Sequence, residues 1–223
     1  MTPLLTLSFI RRHLDPASRL GEVLFGLIMA LGFTAAVRIS GEPPSNRELF
    51  VAILGCNVAW GIVDGVMYVL GQVFERGRRA RVVRDVRAAV DEGGALAAIG
   101  RELDGPLMSV TTDAERQALA RGVLTLARRA EPVPPTRVRA DDLLGGMAVA
   151  LAIVVSTLPV VAPFVLIRDP WLAVRASNGV ALAGLALLGA RWGHIVGASP
   201  YGIAFGLTAV GLVLVAITIA LGG

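Results

Sequence analysis

An aspartate lies near the middle of a long apolar segment, residues 49–74. An ionisable side chain is costly in hydrocarbon and usually faces a cavity, a partner or a transport pathway. Asn57, Asp64 and Met67 recur at helical spacing, so they share one face of a helix. Because carboxylate, amide and thioether groups can together hold a transition metal such as Fe²⁺ or Mn²⁺, this face predicts a cation or proton site.

A structural role for Asp64 is the alternative. In that interpretation the carboxylate pairs with a polar side chain of another membrane helix, and Arg175 and Asn178 are the candidate partners.

The preceding apolar segment carries a second carboxylate and a second thioether. Glu22 and Met29 are seven residues apart with Gly26 between them, so all three lie on one helical face. This face predicts the wall opposite Asp64, although Glu22 at the membrane interface is an equally good interpretation.

Composition explains why these residues must lie in a membrane. Hydrophobic residues supply 55% of the 223 positions, and the mean hydropathy is +0.69. Five apolar stretches are long enough to cross a hydrocarbon core of about 30 Å, which takes roughly 20 helical residues. They are residues 20–39, 49–74, 143–167, 171–195 and 201–221. The predicted fold class is therefore an all-α integral membrane protein with five transmembrane helices.

The distribution of arginine predicts the orientation. The chain has no lysine, and a cytoplasmic N-terminus places seventeen of its twenty-one arginines inside, including Arg76 and Arg139 beside the second and third spans. The N-terminus and the insert are then cytoplasmic and the C-terminus external. Since these charges flank membrane spans, anionic lipid explains them and nucleic acid is not an expected partner.

The same pattern predicts the domain organisation. Residues 1–19 form an amphipathic interfacial segment or a disordered tail, and residues 20–74 form the first two spans. Residues 75–142 form an arginine-rich helical insert, and residues 143–223 form the last three spans. The first helix of the insert continues the second span through a stripe of valines that ends at Val90, and Gly93 and Gly94 terminate it.

Two further helices are predicted in the insert, before a proline spacer at residues 132–135. One covers residues 96–103 before a break at Gly105 and Pro106. The other starts at Thr112, where Glu115 completes a capping box, and its apolar stripe runs through Leu119, Val123, Leu126 and Ala127.

Several motifs indicate packing rather than chemistry. Gly61 with Gly65, and Gly202 with Gly206, have the spacing that lets membrane helices approach closely. No span contains a histidine-rich metal motif or a catalytic dyad, so an enzyme is not expected.

The order of elements resembles the vacuolar iron transporter family. The local matches are Phe25-Gly26-Leu27, the end of the second span from Met67 to Gly71, Ser156-Thr157-Leu158-Pro159 with Pro163, and Gly211 with Ala216-Ile217-Thr218. Met29-Ala30 stands where the family usually has Asp-Gly, and Asn57 stands where it has a glutamate. The resemblance implies a homodimer that exports Fe²⁺ or Mn²⁺ in exchange for protons through carboxylates and methionines of the first two spans.

The expected function is transport of a divalent metal ion, with no resident cofactor and with Fe²⁺ or Mn²⁺ as the substrate. Its expected site residues are Asp64, Met67, Asn57, Glu22 and Met29, and its expected partners are membrane lipids and a second copy of the chain. The alternative is a non-transporting scaffold or regulator whose basic insert binds anionic lipid or a protein partner.

Overall fold

The computed structural model describes residues 3–36, 45–103, 111–129 and 137–220, and these residues form eight α-helices. In chain order the helices are α1 (Pro3–His13), α2 (Pro16–Ala36), α3 (Asn46–Ala88), α4 (Glu92–Leu103), α5 (Asp113–Arg129), α6 (Ala140–Leu166), α7 (Pro170–Val196) and α8 (Pro200–Ala220). All regular structure in these ranges is helical, which confirms the predicted all-α class.

Five of the described helices are long and apolar enough to cross a membrane, namely α2, α3, α6, α7 and α8. They correspond one to one with the five predicted spans, and the protein is a multi-pass membrane protein. The ends of the predicted first and fifth spans, residues 37–39 and 221, lie outside the described residues.

The chain divides into two compact units. The first contains residues 1–69 and 140–223, and the second contains residues 70–139, close to the predicted insert at 75–142. Helix α3 contributes its first part to the first unit and its last part to the second.

The core of the first unit is aliphatic. Leu31 of α2, Ile53 of α3 and Leu185 of α7 are fully buried in one cluster, which Val160 and Val161 of α6 complete. Buried hydroxyl groups in this core bond to neighbouring oxygens, as Ser177 does when it donates to the carbonyl of Val160 at 2.7 Å. Satisfying such groups matters because an unpaired polar group in an apolar core is costly.

Glycines set the spacing of the helices. A Cβ atom on Gly65 of α3 would lie 2.6 Å from the carbonyl oxygen of Gly146 on α6, and one on Gly61 would lie 3.2 Å from Ala150. The first small-residue pair therefore packs α3 against α6 as predicted. The second pair makes no such contact among the described residues, since Gly206 has no neighbour within 4 Å of its Cβ position.

The close contact between α7 and α8 uses other glycines. A Cβ atom on Gly189 would lie 2.6 Å from Cα of Ala204, and one on Gly193 would lie 2.6 Å from Cα of Pro200. Glycines on α7, not the pair on α8, therefore bring these two helices together.

The N-terminal segment is helical and packed. Ile10 and Leu14 are buried against Ala148, Val149 and Ala152 of α6. A disordered tail, the alternative for this segment, is therefore wrong for residues 3–13. Asp15 starts α2 by accepting hydrogen bonds from the Ser18 hydroxyl and from the Ala17 and Ser18 backbone N–H groups, and these bonds hold the Asp15 pKa below its ordinary value.

The second unit has a small core of its own between α3, α4 and α5. Val86, Ile99 and Leu124 are buried in it. The predicted capping box is confirmed, since the Thr112 backbone N–H donates to Glu115 at 2.8 Å and the Glu115 N–H donates to the Thr112 hydroxyl at 3.4 Å.

Two predictions for this unit are wrong. Gly93 and Gly94 do not end a helix but begin α4, because the Asp91 carboxylate accepts from the Gly94 N–H; Val90 lies between helices and is fully exposed. The α5 stripe is wrong only for Leu119 and Leu126, which are exposed; Ala127 is buried and Val123 packs against the core, together with Ala120 and Leu124. The predicted Gly105-Pro106 break and the proline spacer lie outside the described residues.

Candidate cation site between the first two spans

Glu22 and Asp64 meet where α2 and α3 pass each other. Their carboxyl groups lie within hydrogen-bonding reach, close enough for their charges to interact directly. Both residues are partly buried within helices that span the membrane. The structure thus joins the two ionisable residues that the sequence placed on separate spans.

Helix α6 positions both carboxylates. Gly26 lies one turn after Glu22, and a Cβ atom there would collide with the Ser156 hydroxyl and lie 2.8 Å from the Ile153 carbonyl. Gly65 follows Asp64 and packs equally tightly on Gly146. Because each carboxylate stands beside a glycine seated on α6, the spacing between them depends on close helix packing.

The electrostatics of the pair demand a positive partner. One oxygen of each group, Oε2 of Glu22 and Oδ2 of Asp64, is fully buried and makes no hydrogen bond. Two adjacent carboxylates in a low-dielectric environment cannot both remain ionised unless a proton or a cation lies between them. The arrangement therefore offers carboxyl oxygens that a proton or a cation would stabilise.

Sulfur groups lie at a second level of the same helix contact. The Sγ atom of Cys56 is 3.5 Å from the Sδ atom of Met29. Met29 is seven residues from Glu22, which corresponds to about 10 Å along α2. The α2–α3 contact thus offers oxygen ligands at one depth and soft sulfur ligands at another.

Asn57 lies on the inner face of α3. Its side chain is 1% exposed, and its amide nitrogen donates to the Ile53 carbonyl at 2.9 Å. Its Oδ1 atom is buried and has no hydrogen-bond partner. Like the carboxyl groups of Glu22 and Asp64, this amide therefore has a buried oxygen without a hydrogen-bond partner, and it lies at the depth of Cys56.

Met67 does not join this group. Its side chain is 59% exposed at the surface of the chain, although it follows Asp64 by one helical turn. Among the described residues, therefore, no contact supports the expectation that Met67 lines the same site.

The predicted structural partners of Asp64 have other positions. The Oδ1 atom of Asn178 accepts from the Thr34 hydroxyl. Arg175 lies near the start of α7 beside Asp169 and Trp171. Neither pairs with Asp64 among the described residues.

A polar cluster that the sequence did not reveal lies one turn beyond the carboxylate pair. Tyr68 packs against Gly145, and the carboxylates of Asp142 and Asp15 act electrostatically on its phenol. Asp142 is only 5% exposed. The position of Asp142 at the start of the third predicted span was the one feature of the sequence that could have pointed to this cluster. The approach of Asp15 could not be predicted, because it depends on how α1 and α2 fold.

Cys56 was also missed. The sequence shows one cysteine in an apolar run, a pattern that excludes a disulfide and a cysteine-based zinc site but gives no partner. Its contact with Met29 depends on the register between α2 and α3, which the sequence of either helix does not determine.

The described residues contain no group of three or more histidine, cysteine or acidic side chains that could hold a metal ion. The Glu22–Asp64 pair is thus a two-carboxylate site, and a bound cation needs further ligands from water or from another chain.

Comparison with known proteins adds no assignment. No protein-family model matches the chain, and no curated protein matches it significantly. What the site does must therefore be argued from its residues.

Proposed function

We propose that this protein is a secondary transporter of divalent metal ions of the Fe²⁺ or Mn²⁺ type, with Glu22 and Asp64 as the central cation site. The contact between these two carboxylates inside membrane-spanning helices carries the proposal. Such a pair is expensive to maintain in hydrocarbon, and ionisable residues within spans mark ion pathways and proton relays. The resemblance to the vacuolar iron transporter family points to the same activity.

The proposed ion selectivity follows from the ligands. Carboxylate oxygens suit Mn²⁺ and Fe²⁺, while thioether and thiol sulfurs favour softer ions. An ion that moves along the α2–α3 contact meets Glu22 and Asp64 at one depth and Met29 with Cys56 at the other. Borderline ions such as Fe²⁺ tolerate both environments.

Proton coupling follows from the electrostatics of the pair. In the empty state a proton between Glu22 and Asp64 removes the repulsion between two buried charges. A divalent ion displaces that proton because metal and proton compete for the same oxygens. Ion movement in one direction then accompanies proton movement in the other, without any further titrating group.

A second copy of the chain is proposed to complete the site. The neighbours of Asp64 along the outer face of α3, Val63 and Met67, are exposed at the surface of the single chain. A homodimer that buries this face would bring a second set of ligands to the cation and would shield the carboxylates from lipid. In that assembly Met67 regains the role that the sequence predicts for it.

Orientation remains as the arginine distribution predicts it, with the N-terminus and the arginine-rich insert cytoplasmic and the C-terminus external. The Asp15, Tyr68 and Asp142 cluster then lies toward the cytoplasmic end of the site. Its negative charges would raise the local concentration of cations before they reach Asp64.

The test is Mn²⁺ flux into liposomes that contain the purified protein, with a metal-quenched dye and a pH dye recorded together. Wild type is expected to carry Mn²⁺ and to move protons in the opposite direction. Asp64→Asn and Glu22→Gln should each reduce flux by at least about tenfold, since losing a charged ligand costs roughly 1.5 to 3 kcal/mol.

Asp141→Asn is the matched control, because Asp141 is an exposed carboxylate in the first turn of α6. Its flux should equal that of wild type. Flux that is unchanged in Asp64→Asn would reject the site. If no divalent metal moves at all, the non-transporting scaffold becomes the better interpretation, and substitutions of arginines in the insert become the next experiment.

A further inference from the structure

An apolar groove runs along the outside of the first unit where α2, α6 and α7 meet. Its volume is about 540 Å³. The lining includes Val23 and Leu27 of α2, Pro159 of α6, and Val180 and Leu187 of α7. All three helices are candidate membrane spans, so the groove lies within the part of the chain expected to cross the bilayer.

Small residues create the groove. Gly184 and Ala183 line its α7 wall. A Cβ atom on Gly184 would already lie 3.1 Å from the Leu27 side chain, so the two helices approach closely beneath the groove and leave its outer part open. Pro159 exposes its ring to the same space and brings no side-chain donor.

One end of the groove is cationic. Arg191 belongs to the lining, and its side chain is exposed. Val23 of α2 lines the groove together with Leu187, which is one helical turn before Arg191 on α7. Arg19 precedes Val23 by one turn on α2, so Arg19 and Arg191 lie toward the same end of the groove. Neither guanidinium makes an ion pair or a hydrogen bond within the described part of the chain.

The dimensions match one lipid leaflet. From Val180 to Arg191 the groove follows about 16 Å of α7, at roughly 1.5 Å per residue. Half of a bilayer's hydrocarbon core is about 15 Å. An acyl chain can therefore lie along the apolar wall while its headgroup reaches the depth of Arg191.

We propose that this groove is a binding site for one anionic phospholipid, with an acyl chain along Val180, Leu187 and Leu27 and with the headgroup phosphate on Arg191 and Arg19. Charge complementarity at one end and an aliphatic wall along the rest select a phospholipid over a soluble anion. A guanidinium can hold the phosphate through two parallel hydrogen bonds. The inference does not depend on the proposed transport function, since none of the cation-site residues is required for it.

The test is native mass spectrometry of the purified full chain after exposure to micelles of phosphatidylglycerol or phosphatidylcholine. Wild type should retain phosphatidylglycerol, and Arg191→Gln should reduce retention by about tenfold, the loss expected for one charge-assisted contact. Arg175→Gln, which removes an exposed arginine near the other end of α7, should retain the lipid like wild type.

A groove-filling variant tests the acyl chain separately. Ala183→Trp should block retention, and Leu187→Trp serves the same purpose if the first variant fails to fold; Leu212→Trp, at an exposed position of α8, is the control. Equal retention in Arg191→Gln and Arg175→Gln would overturn the headgroup assignment. Equal retention of phosphatidylcholine would overturn the anionic selectivity, and displacement by inorganic phosphate would show an ion site instead of a lipid site.

Discussion

The carboxyl group of Glu22 on α2 meets that of Asp64 on α3, so two ionisable side chains from different candidate spans share one location. Neither buried oxygen of the pair has a hydrogen-bond partner. A protein that needed only stability would place apolar residues here, because buried ionisable groups destabilise a fold unless they are compensated. The pair therefore supports the proposal that a cation binds here and leaves.

The close contact between α3 and α6 predicts a specific sensitivity to added volume. In Gly65→Ala the new Cβ atom would lie 2.6 Å from the Gly146 carbonyl oxygen, so one helix must move. We expect a loss of about 1 to 3 kcal/mol in stability and a reduced flux, because Asp64 moves with the helix. Thermal unfolding in detergent and liposome flux measure the two effects.

The control for that substitution is Gly55→Ala on the same helix, where an added Cβ atom meets nothing within 4 Å. It should unfold at or slightly above the wild-type temperature. If both alanine variants unfold at the wild-type temperature, the packing explanation for the position of Asp64 is wrong.

The sulfur pair predicts a change in ion preference. Met29→Leu and Cys56→Ser remove the soft ligands on either side of the 3.5 Å contact. We expect each to lower transport of the soft ion Cd²⁺ several-fold more than transport of Mn²⁺, since Mn²⁺ prefers oxygen. Competition between the two ions in the same liposomes gives the ratio directly.

Met67→Leu separates the role of this sulfur pair from that of a thioether on the outer face. Its side chain is exposed on the single chain. A shift in the Cd²⁺ to Mn²⁺ ratio as large as that of Met29→Leu would mean that Met67 meets the ion, as it would in the proposed dimer. An unchanged ratio restricts the sulfur contribution to Met29 and Cys56.

Thr34 predicts a stability effect that is independent of transport. Its hydroxyl is fully buried and donates to the Asn178 side chain. Thr34→Val keeps the shape but leaves the amide oxygen without this donor, so we expect destabilisation of about 1 to 3 kcal/mol. Thr125→Val, at an exposed position of α5, should change stability by less than about 0.5 kcal/mol. Equal effects in the two variants would argue against the Thr34–Asn178 bond.

The capping box of α5 predicts a pH dependence. Hydrogen bonds from the Thr112 backbone N–H and hydroxyl hold the Glu115 pKa below its ordinary value of 4.5. Because the folded pKa is the lower one, the stabilisation is present above the unfolded value and is lost as the pH falls through the folded value. Hydrogen exchange of the first turn of α5, compared between wild type and Glu115→Gln, should differ near neutral pH and converge in acid.

Asp113→Asn is the control for this comparison, because Asp113 lies in the same turn but its side chain is 91% exposed. It forms a salt bridge with Arg116 at 3.5 Å and is not part of the capping box. It should give a smaller difference from wild type at every pH. A difference between wild type and Glu115→Gln that persists unchanged into acid would contradict the capping role.

The sequence predicts the fold of this protein better than it predicts its site. Apolar length identifies all five spans, and the Thr112–Glu115 spacing identifies the start of α5, because each depends on local physics. The valine stripe and the two glycines gave the wrong end for α3. The glycines instead lie in the first turn of α4, which Asp91 caps. The predicted stripe of α5 was correct for Val123 and Ala127 but wrong for Leu119, because Ala120 and Leu124 contact the core instead.

For the site, the sequence predicted that the Glu22 face of the first span lies opposite Asp64, and these two residues do meet, but it did not give the register of the contact. That contact depends on the register between α2 and α3, which the glycines at positions 26 and 65 set through a third helix, α6. The Cys56–Met29 contact depends on the same register. Interactions between helices far apart in sequence have no periodic signature in one chain, and for that reason they appear only in three dimensions.

Proton release on metal binding is the most direct test of the central claim that Glu22 and Asp64 form one exchangeable cation site. Purified protein in weakly buffered detergent is titrated with Mn²⁺ while the pH is recorded, for wild type, Asp64→Asn and Glu22→Gln. We predict that wild type releases protons as it binds Mn²⁺ and that both variants lose the release together with the binding. Mn²⁺ binding without proton release in wild type, or release that persists in Asp64→Asn, would contradict the account.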